Sequence, residues 1–256
     1  AVTTPRDPGG LAAPPTAVLE QSLLPDAVLV LDRTPPGSPA AGTVSEVVDQ
    51  ARSSTRVPIA ITPGDQRSPV RTVIHRALLD QPDPTTLAWL LPVGTTPETG
   101  ALVALVDDWR RSPSTGILGP KHVDAERPHL LQGLSIRTTR GGRLLPRPAP
   151  GEPDQGQYDR LSDGLAVPLP GSLVERDLLA DLGGWECSFG DVGADLDLGW
   201  RAHAAGRRVV VVPSARVHTD ADLTLVSAPT PGQRRAARRV ALARALVNYP
   251  KALLLD

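Results

Sequence analysis

Methionine is absent from the 256 residues, cysteine occurs once, at Cys187, and aromatic side chains make up only 3% of the chain. A lone cysteine excludes an internal disulfide, and no Cys/His cluster has structural-zinc spacing, so a reducing compartment is expected and any metal would be held by oxygen and histidine. With few aromatics, the core has to be built from Val, Leu and Ala. No stretch approaches the roughly 18 apolar residues that span a bilayer, and no basic-then-apolar leader opens the chain. The missing Met at position 1 is expected of a processed or excerpted chain. Neither sign of charge dominates: 27 basic residues against 28 acidic ones leave a net charge of −1, so no overall field attracts nucleic acid or an anionic membrane. Contact with either would have to be local, and no nucleic-acid partner is expected.

What is present suits a globular α/β protein. Hydrophobic residues make up 40% and charged residues 21%, which rules out a disordered tail or a small disulfide scaffold. Twenty-eight prolines and 23 glycines predict many loops between short elements, in one large domain rather than two small ones. Continuous apolar runs at 27–31, 57–61 and 87–91 read as strands buried on both faces, hence a parallel sheet. Val70, Val73, Ile74, Ala77 and Leu78 have helical spacing. Thr96 is expected to cap a helix that has Pro97 at its first position and packs Leu102, Leu105 and Val106. Strands are expected at 116–119, 134–137, 165–167, 172–174 and 208–212, a helix at 175–182 stopped by Gly183 and Gly184, and another helix at 195–205. The polar stretch 140–163 reads as a functional or mobile loop. Nothing repeats at a fixed period.

Between Leu223 and Leu255 lie six basic residues and no acidic one: Arg234, Arg235, Arg238, Arg239, Arg244 and Lys251. Such a segment suits a membrane surface, and it equally suits a solvated helix capping the domain. His75, His122, His129 and His203 read as surface or helix residues and Cys187 as a structural thiol, with no nucleophile-elbow, phosphate-loop or dinucleotide fingerprint in the right context.

The most informative stretch runs from Leu182-Gly183-Gly184-Trp185-Glu186 through Gly193-Ala194-Asp195-Leu196-Asp197-Leu198-Gly199-Trp200-Arg201 to Val212-Pro213 and His218. Read from its residues, it sets two carboxylates at the start of a helix, where the dipole favours their ionised form and one can accept a proton from a sugar hydroxyl. Acids also suit a first helical turn for purely structural reasons.

The whole pattern closely resembles the C-terminal half of family-2 glycosyltransferases of the GT-A fold. There a helix ends in Leu-Gly-Gly-Phe-Asp, a Glu-Asp-x-Asp-Leu-x-x-Arg segment follows, and a strand runs into Val-Pro and a His. The resemblance covers roughly residues 16 to 250. It implies an α/β fold with a mostly parallel mixed sheet flanked by helices, formed by residues 1–222, and a basic helical segment at 223–256 of the juxtamembrane kind. It implies inverting transfer of a sugar from a nucleotide-sugar donor to a cell-envelope glycan or lipid-linked acceptor. Asp195 would be the base, Asp32, Asp197 and Arg201 would serve donor binding, and His218 would help hold a divalent Mn or Mg ion. Asp154 to Asp159 with Ser162-Asp163 resembles large actinobacterial cell-envelope members, which implies a place at the cytoplasmic side of the membrane, or in the cytoplasm. Two departures favour the alternative of an inactive scaffold or glycan-binding domain. Apart from Ala194, which replaces the Glu, the first is that Pro92-Val93-Gly94-Thr95-Thr96-Pro97 carries no carboxylate where the family has its metal-binding Asp-x-Asp. The loops Val2 to Arg6 and Arg33 to Pro36 also differ from the family's nucleotide-binding loops.

Overall fold

The computed structural model describes residues 2–3, 13–81, 86–139, 142–145, 147–149, 151–219 and 230–248. In chain order the elements are β1 Val2–Thr3, α1 Ala13–Leu19, β2 Val28–Asp32, α2 Pro39–Ser54, β3 Ile59–Pro63, α3 Val70–Leu79, β4 Leu87–Trp89, β5 Leu91–Pro92, β6 Thr95–Pro97, α4 Ala101–Arg111, β7 Thr115–Asp124, β8 Leu131–Gly133, β9 Leu173–Glu175, α5 Arg176–Asp181, a 3-10 turn Cys187–Phe189, α6 Gly190–Ala204, β10 Arg208–Thr219 and α7 Pro231–Asn248. One sheet is parallel, in the order β3-β2-β1-β5. The other is mixed, in the order β4-β9-β7-β10-β6 with β8 added on β7. Its centre is the long parallel pair β7 and β10.

Both faces of these sheets are covered, which is why the strands read as unbroken apolar runs. Successive side chains go to opposite cores: Leu31 and Ile117 join one cluster with Ile74, Leu179 and Leu198, while Val30 and Leu118 join the other with Val44, Leu105 and Val210. Helix α2, which the sequence reading did not place, is opened by Ser38, whose hydroxyl accepts from the Ala41 amide at 3.3 Å, with Pro39 next. Its buried Val44, Val48 and Ala51 carry the helical spacing, diluted in sequence by Gly42, Thr43 and Ser45.

Several expected boundaries move for tertiary reasons. The run 87–91 is split at Leu90, whose amide and carbonyl bond to Ser172 and Gly171, so that β4 and β5 belong to different sheets. Thr96 caps no helix. Thr96 and Pro97 lie in β6, an edge strand paired with His218 and Val217, and α4 starts only after Gly100; an edge tolerates Pro because one side of it needs no donor. β10 continues through Pro213 by way of a register shift between Val212 and Arg216. The 134–137 and 165–167 segments meet only through the isolated bridge Ile136↔Ala166. His122, expected at the surface or in a helix, is fully buried in β7 with Nε2 2.7 Å from the Pro170 carbonyl, and burial holds its ring below the ordinary histidine value.

Helix α6 begins at Gly190, five residues earlier than expected. It is packed closely on both sides. A β-carbon on Gly199 would lie 2.3 Å from the Leu165 carbonyl oxygen, and one on Gly193 would meet Phe189 at 2.8 Å and Ala236 of α7 at 3.2 Å. Ala237, Val240 and Ala241 bury one face of α7 in a cluster with Leu196 and Ile136. Residues 223–229 and Lys251, at the ends of the basic segment, lie outside the described residues, as do Thr4 to Arg6 of the first loop.

Candidate active site

Because α6 starts at Gly190, Asp191 occupies its first turn and Asp195 lies beyond it, so the helix-end argument applies to Asp191. Residues two apart on a helix point about 200° away from each other. Asp195 and Asp197 accordingly face different neighbours and do not form one carboxylate pair.

Asp195 meets Arg71, from α3. The guanidinium donates from Nε to Oδ1 at 2.8 Å and from Nη2 to Oδ2 at 2.7 Å, and the Leu169 amide adds a third bond to Oδ2 at 3.1 Å. Both residues are buried, at 6% exposure each. Nη1 of the same arginine reaches Asp191, whose side chain is 80% exposed. Burial pushes the Asp195 carboxyl up, against the pull of Arg71 and the Leu169 amide. Burial also works against the Arg71 charge, but Asp195 and Asp191 outweigh it and raise the guanidinium further. The cavity beside Asp195, lined by Ile117, Leu169, Trp185 and Leu198 among others, measures about 10 Å³, room for a water molecule and not for a sugar. Sequence reading missed Arg71. The signal was there: Arg71, Ile74 and Leu78 share one helical stripe, and a cation on a buried stripe needs a buried anion.

Asp197 is fully buried between two other arginines. Arg201 donates from Nε to its Oδ2 at 2.7 Å, and Arg244 of α7 donates from Nε to its Oδ1 at 2.6 Å. The remaining nitrogens of Arg201 bond the carbonyls of Leu182 at 2.5 Å and Gly184 at 2.7 Å, closing the turn after α5. The Asp-Leu-x-x-Arg portion of the motif therefore ties α5, α6 and α7 together.

Asp32 ends β2, beside the end of β3, at the carboxyl edge of the parallel sheet. Its Oδ1 accepts from the Thr34 amide at 2.8 Å and the Thr34 hydroxyl at 2.6 Å, while Oδ2 accepts from no described residue. A carboxylate so oriented at a strand end suits a donor group on a nucleotide base or ribose.

His218 sits on β10 with Nε2 3.3 Å from Glu98 Oε1. Glu98 also accepts from Arg216 at 3.0 Å, and Arg216 continues to Asp154 at 2.6 Å, which is bonded in turn by the buried Lys121 at 3.0 Å. The carboxylates around His218 are thus taken up by cations. Where a metal motif would lie, Thr95 and Thr219 face one another across the β6–β10 pair, and both hydroxyl oxygens are buried without a partner. Neutral hydroxyls are poor ligands for a hard divalent cation without carboxylates beside them. No group of three His, Cys, Asp or Glu side chains among the described residues is placed to hold a metal. Asp124, in register with Thr219, is taken up by Arg127, Gln132 and two backbone amides, so the described donor set does not fit Mn or Mg.

Comparison by sequence matches no family model and no curated protein. Comparison by structure finds glycosyltransferases. GalNAc-T7, solved with UDP, GalNAc and Mn2+, aligns over 100% of this chain and 51% of its own, with a TM-score of 0.67 and 10% identity. The mannosyltransferase PcManGT from Pyrobaculum calidifontis, solved with GDP-Man and Mn2+, aligns over 99% of this chain and 77% of its own, with a TM-score of 0.58 and 13% identity. This chain therefore spans about half the length of GalNAc-T7. At such identities the likeness is one of fold, and the fold is GT-A, a mixed α/β sheet flanked by helices.

Proposed function

We propose that this chain is a glycosyltransferase domain that takes a sugar from a nucleotide-sugar donor held at the carboxyl edge of β1, β2, β3 and β5. The observation that supports the reading is the likeness, over the whole chain, to transferases solved with UDP and with GDP-Man. In this reading Asp32 receives the nucleotide, and the motif of family-2 enzymes assigns inverting transfer to a cell-envelope glycan or lipid-linked acceptor, on the cytoplasmic side of the membrane. The actinobacterial subgroup belongs to the same proposal. Asp195 acts as base only if Arg71 lets go of it. A base must reach the acceptor hydroxyl, and both its oxygens are engaged in the described arrangement.

One observation favours a second reading. The fold is retained while Asp195 is locked in a buried ion pair and the turn after β5 lacks carboxylates, as suits a domain that binds a donor or glycan without transferring it. Calorimetric titration with UDP, GDP and their sugar conjugates, with and without Mn2+, tests both. The transferase reading expects binding that weakens in Asp32→Asn, and turnover in wild type that Asp195→Asn abolishes without loss of donor affinity. Binding without turnover leaves the second reading, and no binding of any nucleotide overturns the donor site itself.

A further inference from the structure

Several exposed arginines of this molecule are neutralised by a nearby acid: Arg52 by Asp49, Arg110 by Asp107, Arg111 by Asp108 and Arg208 by Asp163. Helix α7 instead gathers, on one face, arginines unpaired among the described residues. With its inner face buried through Ala237, Val240 and Ala241, it presents Arg235, Arg238, Arg239 and Leu242 outward. Their spacing of three, four and seven residues sets them on one stripe. No acidic residue occurs between Asp222 and Asp256, so no partner stands one turn away. None of the three arginines is ion-paired among the described residues. Arg239 lies over the Phe189 ring at 5.7 Å, a contact that steadies the guanidinium and leaves its charge unneutralised. Leu242, 53% exposed, is one of few large apolar side chains so displayed.

We propose that this outward face of α7 lies on an anionic membrane surface. A rigid helix with arginines beside an exposed leucine has the chemistry of an interfacial helix: the apolar group enters the headgroup boundary, and the arginine stems lie along it with their charges at the phosphates. The stripe is local on a chain of net charge −1, so attachment is reversible and weakened by salt. The molecule as a whole lacks the basic field that nucleic acid requires. The proposal stands whether or not the domain transfers sugar.

Co-sedimentation of the full chain with phosphatidylcholine vesicles, with and without phosphatidylglycerol, at low and high salt, tests it. Binding is expected only to the anionic vesicles and only at low salt. At roughly five-fold per arginine, R235Q/R238Q/R239Q lowers the partition coefficient by about 100-fold. Leu242→Asp weakens it as well, and the control R110Q/R111Q on α4 leaves it unchanged. Circular dichroism and melting temperature establish that each variant is folded. Absence of binding at low salt, equal binding to neutral vesicles, or full binding by the folded triple variant would overturn the proposal. So would arginine-dependent capture of a short DNA duplex by a chain that ignores the vesicles.

Discussion

Arg71 of α3 and Asp195 of α6 close on each other as a two-pronged ion pair, across 124 positions of sequence, with both side chains buried. The pair joins helices on the same side of the sheet, and it occupies the carboxylate to which the sequence motif gives a catalytic part. Removing either partner strands the other charge in the core. Arg71→Met and Asp195→Leu are each expected to cost about 3–5 kcal/mol, while the double variant Arg71→Met/Asp195→Leu recovers most of the loss. Urea unfolding of the four proteins measures this, and simple additivity of the two losses would contradict a coupled pair. The stability effect must be subtracted before any change in turnover of Asp195→Asn is read as chemistry.

The approach of α6 to the 165–166 segment depends on a missing side chain. A β-carbon at Gly199 would meet backbone oxygen at 2.3 Å, and backbone yields less readily than a flexible side-chain end. Gly199→Val is expected to destabilise the fold by about 1–3 kcal/mol or more through overpacking, whereas Gly42→Ala on α2, where nothing lies within 4 Å, raises helix propensity without a clash. Thermal melts of the two variants should move in opposite directions.

Acid is expected to weaken the Lys121, Asp154 and Arg216 network. Burial opposes the Asp154 charge, but the hydrogen bonds from Lys121, the Gly156 amide and Arg216 outweigh it and hold the carboxyl below its ordinary value of 3.8. The unfolded chain then binds the proton first, so this stability is present above that value and is lost as the pH falls through the folded one. Unfolding midpoints taken downward from pH 5 should drop less steeply in Asp154→Asn than in wild type. Parallel acid limbs would rule the network out as their source.

Metal alone is expected to leave the protein unchanged. Glu98 is committed to Arg216 and His218, and among the described residues Asp124, in register with Thr219, is committed to Arg127 and Gln132, which leaves the buried hydroxyls of Thr95 and Thr219 no free carboxylate. Melting temperatures with and without Mn2+ or Mg2+ should coincide. An upward shift that disappears in His218→Ala would show that the histidine does hold a cation.

The resemblance carried by Leu182 to Arg201 points to the fold from the sequence alone, because glycine stops, the spacing of acids and apolar periods are local signals. Strand β2 and helix α3 lie where their apolar patterns predict them, whereas β7 covers the expected 116–119 and runs on through Pro120, Lys121 and His122 to Asp124, residues that carry no apolar run. Their ends escaped: the break at Leu90 and the edge strand at Thr96 and Pro97 are decided by pairing with Ser172 and with His218, residues far along the chain. The same holds for the site. The sequence by itself determined which acids, arginines and histidine the chain has to work with, and that Arg71 shares a stripe with buried residues. Helical periodicity turns Asp195 and Asp197 to opposite sides of α6; only the tertiary structure decided that Arg71 waits on one side and Arg244 on the other. A carboxylate's role depends on what stands within about 3 Å of it, and here Asp195 meets Arg71 from α3 while Asp197 meets Arg244 from α7 beside Arg201 of α6 itself.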